Sequence, residues 1–256
     1  MSSVVSVKPV TACVLIIGNE ILSGRTQDVN LAFIARSLNE RGIQVREART
    51  IPDIEAVIVD TLRSVSASFD YVFTTGGIGP THDDITAECV AKAFSVPLIT
   101  HPDIAARIRR YAEQRGLAPE VIETSLRMAR VPEGAGLIDT EVGAPGFHIG
   151  NVYVMAGIPA VMQSMIRLLA PKLSGAMPVR SRSIGAYVGE SLVAEPLRAI
   201  QDRHPSVDVG SYPFSEEGRY GTTLVIRGTD EAELEMILGE IRAMLTSLDA
   251  ETIARD

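Results

Sequence analysis

Two adjacent carboxylates, Asp83 and Asp84, follow a glycine-rich turn in the segment TGGIGPTHDDIT at residues 75–86. The glycines at 76, 77 and 79 allow backbone conformations that other residues avoid, so successive N–H groups can converge on one ligand. An apolar stretch precedes the turn and a helical pattern follows it, an arrangement in which α/β proteins usually hold phosphates. The segment therefore predicts a phosphate-binding turn that carries acidic residues.

The two carboxylates oppose a bare phosphate site. At a helix N-terminus each carboxylate gains about 0.3–1 kcal/mol from the helix dipole. A phosphate about 4 Å from a carboxylate would be repelled by roughly 4 kcal/mol at an effective dielectric constant of 20. Repulsion is the larger effect unless a cation lies between the two groups. Two interpretations stay open: a phosphate site bridged by a metal ion, or aspartates that only cap the following helix.

Three acidic residues are the candidate catalytic groups. Asp84 is the first choice for metal coordination and Asp83 the second, because hard carboxylate oxygens suit Mg²⁺ or Mn²⁺. Glu20 follows the first apolar strand and should face the same edge of the sheet. It is interpreted as a metal ligand or a general base that orients water. The alternative for Glu20 is a solvated loop carboxylate.

The candidate ligand-binding residues lie in loops that follow apolar strands: Gly76, Gly77, Gly79, Thr81, His82, Asn30, Gly157 and Pro159. The loop glycines and Thr81 would bind phosphate through N–H and hydroxyl groups, or form a tight turn without ligand. His82 is either a donor or proton-transfer group or merely exposed. Asn30 either binds ligand or caps the helix that starts there, and Asp28 is predicted to cap. Gly157 and Pro159 would shape a second wall of the pocket.

Alternating strands and helices should position these loops. Short apolar runs at residues 12–18, 71–75 and 152–156 are typical of parallel strands, residues 45–50 read as a further strand, and helical apolar spacing follows each of the four segments. Asp53 is the predicted N-cap of the helix after the second strand. The pattern predicts a three-layer α/β/α domain with a mostly parallel sheet, over residues 10–172. Ligands then lie beyond the carboxyl ends of the strands.

The composition changes at residues 174–178, which we interpret as a linker. Beyond it the patterns read β-α-β-β-α, with Val207–Val209 extended, and predict a small α+β domain at residues 178–250.

Composition excludes several classes of partner. A net charge of −8 across 256 residues, with no tryptophan, argues against a nucleic-acid surface or an anionic membrane. The chain has no apolar run near the length of a membrane span and no signal-like start, so we expect a cytoplasmic location. Cys13 and Cys89 lie among apolar neighbours without CxxC spacing and are expected to be buried free thiols.

Three segments together resemble a known family: IIGNEILSG at 16–24 with Asp28 and Asn30, the 75–86 segment, and APGF at 144–147 with AGIP at 156–159. They are similar to the CinA-like branch of the molybdopterin-binding (MoaB/MogA-type) fold family, a domain type that also heads many eukaryotic FAD synthases. The resemblance covers residues from about 10 to about 170. Residues from about 178 to 250 resemble, more weakly, the KH-type domain that follows in CinA proteins.

The resemblance implies a ligand pocket at the strand ends and hydrolysis of the pyrophosphate of ADP-ribose or FAD. The implied cofactors are a divalent metal (Mg, Mn or Co) and often potassium. The molybdopterin branch of the family instead binds and adenylylates the pterin phosphate. A third hypothesis is a binding module without catalysis. We also expect a homo-oligomer.

Two departures from the family pattern qualify this expectation. The chain ends before the C-terminal deamidase domain of CinA proteins could fit, so deamidase activity is not carried over. Asp139 stands where the family usually has asparagine before APGF, which would add a negative charge near the pocket. The KH-like region also lacks the Gly-x-x-Gly loop with which KH modules hold RNA, so no RNA role is expected.

Overall fold

The structure is a computed structural model that describes residues 9–255, and the chain separates into two compact units between Ala176 and Met177. The described residues of the first unit form eight strands: β1 (Val10–Ile17), β2 (Ile43–Ile51), β3 (Tyr71–Thr75), β4 (Leu98–Thr100), β5 (Arg130–Pro132), β6 (Gly136–Ile138), β7 (Gly146–Ile149) and β8 (Val152–Met155). Six of them form one sheet in the order β2-β1-β3-β8-β7-β6, and β4 pairs with β5 in a separate ribbon.

The central sheet is mostly parallel, as predicted. β1 runs parallel to β2 and β3, and β3 runs parallel to β8. Only β7 reverses direction, because it pairs antiparallel with both β8 and β6. β6 therefore runs in the same direction as β8, and the loops after β1, β3, β8 and β6 all leave the same edge of the sheet.

Helices cover both faces of this sheet: α1 (Asn19–Leu22), α2 (Asn30–Asn39), α3 (Glu55–Ser68), α4 (Thr86–Ala93), α5 (Pro102–Gln114), α6 (Pro119–Ser125) and α7 (Pro159–Leu169). Burial on both faces explains the apolar sequence of β1 at residues 12–17. Cys13, Leu15 and Ile17 pack into a core with α3, α4 and α5. The alternate side chains of Ala12 and Val14 pack into a second core with α2 and α7. A strand buried on both faces needs apolar residues at every position.

The second unit is an antiparallel four-stranded sheet with two helices. Its elements are β9 (Arg180–Tyr187), α8 (Glu190–Arg203), β10 (Asp208–Glu216), β11 (Arg219–Gly228), α9 (Glu231–Ser247) and β12 (Glu251–Ala254), with strand order β10-β11-β9-β12. Apolar side chains of β9 and β11, such as Ile184 and Leu224, pack against both helices. The predicted β-α-β-β-α order is present, followed by a fourth strand that the sequence analysis missed.

β10 is also longer than the extended segment predicted at Val207–Val209. It continues to Glu216 through a polar stretch that contains Pro213, and it lies at an edge of the sheet. An edge strand has one row of backbone groups facing solvent, so it accommodates proline and needs little apolar pattern. Within residues 9–255, no helix is both long and apolar enough to span a bilayer.

Cys13 and Cys89 are buried and free, as predicted. Burial raises the pKa of the Cys13 thiol to about 11 and that of the Cys89 thiol to about 12, because an apolar environment disfavours the thiolate. The thiolate is the reactive form. We therefore expect Ellman's reagent at neutral pH to leave the native protein almost unlabelled, and to react with both cysteines in guanidinium. Rapid labelling of the native protein would contradict this burial.

Candidate functional site

Three backbone turns meet at the carboxyl edge of the sheet. β1, β3 and β8 are neighbours, and they are followed by Gly18, Gly76 and Gly157 respectively. Gly76 has a φ of 101°, and a Cβ at this position would lie 2.1 Å from the carbonyl oxygen of Ile17. A Cβ on Gly157 would lie 3.3 Å from the Cα of Gly76. Without side chains, the three turns approach each other backbone to backbone and leave a small pocket open at the edge.

This glycine-edge pocket has a volume of about 70 Å³. Five of the predicted site residues line it, namely Glu20, Asn30, Gly76, Gly157 and Pro159. These residues come from the loops after β1 and β8, from the start of α2 and from the end of β3. The structure thus brings together residues that lie up to about 140 positions apart in the chain, as expected where parallel strands end side by side.

Asn30 is the most constrained polar group in the glycine-edge pocket. The residue is 5% exposed, and its Nδ2 donates a hydrogen bond of 2.9 Å to the carbonyl oxygen of Gly157. Its Oδ1 is buried without a hydrogen-bond partner among the described residues. A buried unpaired acceptor costs about 1–3 kcal/mol, so this oxygen is suited to a donor or a cation brought by a ligand. Asp28 lies just before the N-cap position of α2, which is Val29, and its Oδ1 accepts from the first-turn N–H of Leu31 at 2.9 Å, the kind of contact that the capping prediction requires.

The loop after β3 is anchored to the buried start of α4. Thr86 donates its N–H to the carbonyl of Gly77 at 3.0 Å and its Oγ1 to the carbonyl of Gly76 at 3.1 Å. Gly76 donates its own N–H to the carbonyl of Met155 at 3.2 Å, so this N–H is used within the sheet edge. Within residues 9–255 the N–H groups of Gly77 and Gly79 have no acceptor, and they remain available to an anion.

The two aspartates are held by Thr81. The N–H of Thr81 donates to Oδ2 of Asp84 at 2.8 Å, and its hydroxyl contacts Oδ1 of Asp83 at 2.6 Å as well as Oδ2 of Asp84. A Cβ on Gly79 would lie 2.6 Å from Oδ2 of Asp84, so a larger residue there would require this carboxylate to shift. Because Thr81 has one hydroxyl proton, it can serve only one of the two carboxylates at a time.

The helix-capping interpretation of Asp83 and Asp84 is wrong. α4 starts at Thr86, and no side chain accepts a hydrogen bond at its N-cap position. The hydrogen bond from the Thr81 hydroxyl is the main reason that the pKa of Asp83 lies below its usual range, so Asp83 is ionised at neutral pH. His82 lies in solvent beside this cluster: its side chain is 96% exposed, and its Nδ1 lies 4.0 Å from Oδ1 of Asp83.

Asp53 belongs to the same edge and was missed as a site residue. The sequence analysis made it the N-cap of α3, which is wrong: α3 starts at Glu55 without a side-chain cap, and Oδ2 of Asp53 accepts from the N–H of Asn19 at 2.9 Å. Ile17 and Ile51 are paired at the ends of β1 and β2, which brings the two following loops together. The signal in the sequence was an acidic residue just beyond a strand end: Asp53 lies two positions after Ile51, and Glu20 lies three positions after Ile17.

Burial raises the pKa of Asp53, and repulsion from Glu20 and Asp83 adds to the effect, against the hydrogen bond from Asn19. Four carboxylates therefore lie on loops after three adjacent strands: Glu20, Asp53, Asp83 and Asp84. Within the described range, no three Asp, Glu, His or Cys side chains come close enough to hold a metal ion by themselves. Two carboxylates are still a sufficient protein contribution for Mg²⁺, which keeps several waters and usually takes further ligands from a substrate phosphate.

The acidic cluster leads to a prediction about stability. Asp53→Asn keeps an oxygen for the N–H of Asn19 but removes a half-buried charge next to other acids. We expect it to stabilise the protein at pH 7 by roughly 0.2–1 kcal/mol, a range scaled down for solvent screening. The folded-state pKa of Asp53 is raised, so its ionisation opposes folding as the pH rises through that pKa. The gain should therefore vanish near pH 3, where the unfolded carboxyl is also protonated.

Urea denaturation at both pH values measures this difference in the free energy of unfolding. Asp60→Asn, an exposed position on α3, is the matched control and should change stability at neither pH. A loss of stability in Asp53→Asn at pH 7 would show that the carboxylate stabilises this edge, contrary to the cause inferred for its pKa.

Asp139 is not a pocket residue. It lines a separate groove with His148, Tyr153 and Lys172, whereas the glycine-edge pocket is lined without it. The effect of the Asp139 charge on ligand preference stays a prediction.

Comparisons with known proteins give a family match for each unit. The sequence model of a family described as "Probable molybdopterin binding domain" matches residues 13–175, and one described as "FAD synthase, middle domain" matches residues 178–252. A protein from Archaeoglobus fulgidus is 32% identical, over 78% of this chain and 84% of that protein. A "Probable FAD synthase" from Caenorhabditis elegans is 27% identical over 92% of this chain but only 50% of its own length.

Among solved structures, "the protein CinA with unknown function" from Thermoplasma acidophilum is 34% identical. It superimposes with a TM-score of 0.57 and covers 63% of this chain and 96% of that one. The CinA-like resemblance of the first unit is thereby confirmed. The KH-like prediction for the second unit is not confirmed, since the matching family there is the FAD synthase middle domain and the element order is β-α-β-β-α-β.

Proposed function

The chain belongs to the molybdopterin-binding domain family, followed by a FAD synthase middle domain, and on this premise we propose that it hydrolyses the pyrophosphate bond of ADP-ribose- or FAD-like nucleotides with a divalent metal ion. One observation carries the proposal: four carboxylates lie on loops beside glycine turns at the shared carboxyl edge of β1, β2 and β3. Free N–H groups there favour an anion, and the carboxylates repel it unless a cation lies between them.

The residues present fit Mg²⁺, Mn²⁺ or Co²⁺. Asp84 and Asp83 would hold the ion, because Thr81 keeps both carboxylates on the same side of the loop. When bound, the metal neutralises the acids and polarises the phosphorus for attack. The unpaired Oδ1 of Asn30 is a neutral oxygen of the kind that coordinates potassium. It supports potassium as a second cation in this proposal.

The remaining residues position the substrate and the water. The N–H groups of Gly77 and Gly79 are placed to donate to phosphate oxygens, while Gly76 only closes the turn. Glu20 lines the glycine-edge pocket and is the group placed to accept the proton of an attacking water. The hydroxyl of Thr81 has an acceptor on each aspartate, so it can move its hydrogen bond from one carboxylate to the other. His82, almost fully exposed, has no role in this scheme.

Incubation of the purified protein with ADP-ribose or FAD tests the proposal. We expect AMP in the presence of Mg²⁺, Mn²⁺ or Co²⁺ and none in EDTA, with restoration when the metal is added back. The absence of AMP with all three metals, at enzyme concentrations of tens of micromolar or more, would reject hydrolysis of these substrates. Thermal stabilisation by each nucleotide, with and without metal, reports binding separately from turnover.

A second candidate is a molybdopterin-binding protein with little or no hydrolysis. The description of the matching family favours it. The family model matches residues 13–175, and these contain every residue that lines the glycine-edge pocket. Co-purification of a fluorescent oxidised pterin would support this candidate. Equilibrium dialysis that detects no affinity for a pterin phosphate would reject it.

A further inference from the structure

A second and larger cavity lies outside the glycine-edge pocket, between α5, α6 and the β6–β7 loop (residues 139–145). Its volume is about 630 Å³. We propose that this α5-loop cavity binds the planar heteroaromatic ring of the nucleotide whose phosphates lie at the glycine turns, an inference that rests on the proposed function. The two cavities would then hold the two chemically different ends of one ligand.

The walls of the α5-loop cavity suit a planar ring. Small-molecule sites measure roughly 300–1,000 Å³ and combine apolar walls with a few polar groups. Leu117, Met128 and Val142 contribute apolar surface here, and Arg110 and Glu141 are among its few charged groups. A cavity with this lining offers a planar apolar ring extensive contact, and its polar groups can meet the edge of the ring.

Tyr111 is the side chain best placed for stacking. It lines the cavity and is 54% exposed, which is unusual for a large side chain on a helix that packs into a core. The guanidinium carbon of Arg115 lies 4.9 Å from the centre of its ring, and this cation–π contact holds the ring in place. Val142 and Leu117, at 48% and 37% exposed, are also left open on the cavity walls. A stacked ring would cover all three.

The β6–β7 loop connects this cavity to the glycine-edge pocket. Arg107 on α5 donates to the carbonyl of Thr140 at 3.2 Å, and the N–H of Glu141 donates to Oγ of Ser164 on α7 at 2.9 Å. The loop is thus fastened to α5 on one side and to α7 on the other. Because β6 runs in the same direction as β8, the loop leaves the sheet at the edge that carries the glycine turns.

The first turn of α7 lies between the two cavities. A Cβ on Gly143 of the loop would lie 3.5 Å from Val161, while Pro159 two residues earlier lines the glycine-edge pocket. Ile158, just before it, is 65% exposed and offers apolar surface along the path. A ligand with phosphates at Gly77 and a ring against Tyr111 would pass over this turn.

Nucleosides without phosphate test this cavity separately from the glycine turns. Riboflavin binding to the full chain is followed by its fluorescence, and adenosine binding by equilibrium dialysis, both without metal. We expect saturable binding of at least one nucleoside. The nucleoside that binds shows whether the cavity holds the isoalloxazine ring or the adenine ring. Tyr111→Ala and Val142→Glu should each weaken it by about 10-fold or more, since stacking on an aromatic ring contributes roughly 1–3 kcal/mol. Tyr220→Ala, at an 81% exposed tyrosine in the second unit, is the matched control.

Asp84→Asn separates this proposal from the proposed function: it should retain nucleoside binding even though it loses hydrolysis. Nucleoside binding without any AMP production would leave this proposal standing and reject only the hydrolysis. No binding of either nucleoside up to millimolar concentration would overturn it, as would binding unaffected by both cavity variants. A change from dimer to monomer in Tyr111→Ala, without nucleoside binding by the parent protein, would show a subunit interface instead. Val142→Glu, on an exposed loop, remains informative if Tyr111→Ala does not fold.

Discussion

Asp84→Asn is expected to lower the rate of pyrophosphate hydrolysis by about 100-fold or more while the protein stays folded. The variant keeps an oxygen that can accept from the N–H of Thr81, so the loop retains its 2.8 Å hydrogen bond. What it loses is one negative charge of the pair that would hold the metal. A metal ion contributes several kcal/mol to a phosphoryl transition state, and about 2.7 kcal/mol corresponds to 100-fold in rate.

Initial rates over a range of Mn²⁺ concentrations measure this effect. A weakened metal site raises the metal concentration needed for half-maximal rate, so part of the loss should be recovered at high Mn²⁺. Asp83→Asn should show the same pattern with a smaller loss, because Asp83 is the more exposed member of the pair. Asp60→Asn on α3 is the control and should match the parent protein. Full activity of Asp84→Asn at every metal concentration would remove Asp84 from the site.

The proposed function depends on the carboxylates that lie close together at the edge of the sheet. Charged carboxylates that only served stability would be spaced apart or paired with arginine or lysine. Here the Asp53 carboxyl is instead half-buried, and Glu20 and Asp83 help to raise its pKa. A protein that keeps repelling groups together gives up some stability, which is typical of functional sites. The predicted stabilisation by Asp53→Asn and the predicted inactivation by Asp84→Asn are two consequences of the same arrangement.

The parallel core of the fold was readable from the sequence because burial on both faces leaves a strong local pattern. β1, β3 and β8 are short, predominantly apolar runs without charged residues, and each occurs where the pattern predicted a strand. β10 and β12 were missed or shortened because they are edge strands with one row of free backbone groups. These strands pair through backbone hydrogen bonds and do not need a continuous apolar stretch. Local composition therefore does not distinguish them from loops.

The site was only partly predictable for a related reason. Glu20, Asn30 and Gly157 could be placed at one edge because each follows a recognisable strand or begins the next helix. The contact between Asp53 and Asn19 depends on the register of β1 against β2, which no local pattern encodes. The capping role predicted for Asp53, and the capping alternative for Asp83 and Asp84, failed because the hydrogen bonds of these carboxylates depend on how the loops fold back, as the contacts of Thr81 show for both loop aspartates.

Gly76→Ala is expected to cause the largest loss of stability of any single alanine substitution in this site. At φ 101° an L-residue is strained, and the added Cβ would lie 2.1 Å from the carbonyl oxygen of Ile17. That oxygen belongs to the backbone of a central strand, so it cannot move aside as a side-chain end would. We expect a loss of more than about 3 kcal/mol in the free energy of unfolding, a large part of the 5–15 kcal/mol typical of a domain.

Gly24→Ala and Gly116→Ala separate the clash from the backbone strain. Both glycines also have positive φ, 72° and 61°, but a Cβ there would meet no atom within 4 Å. Each should cost only about 1–2 kcal/mol, the strain of a left-handed alanine. Urea denaturation of the three variants gives the comparison. An equal loss in all three would mean that the turn at Gly76 can relax away from Ile17. The close backbone packing of β1 and β3, on which the glycine-edge pocket depends, would then be wrong.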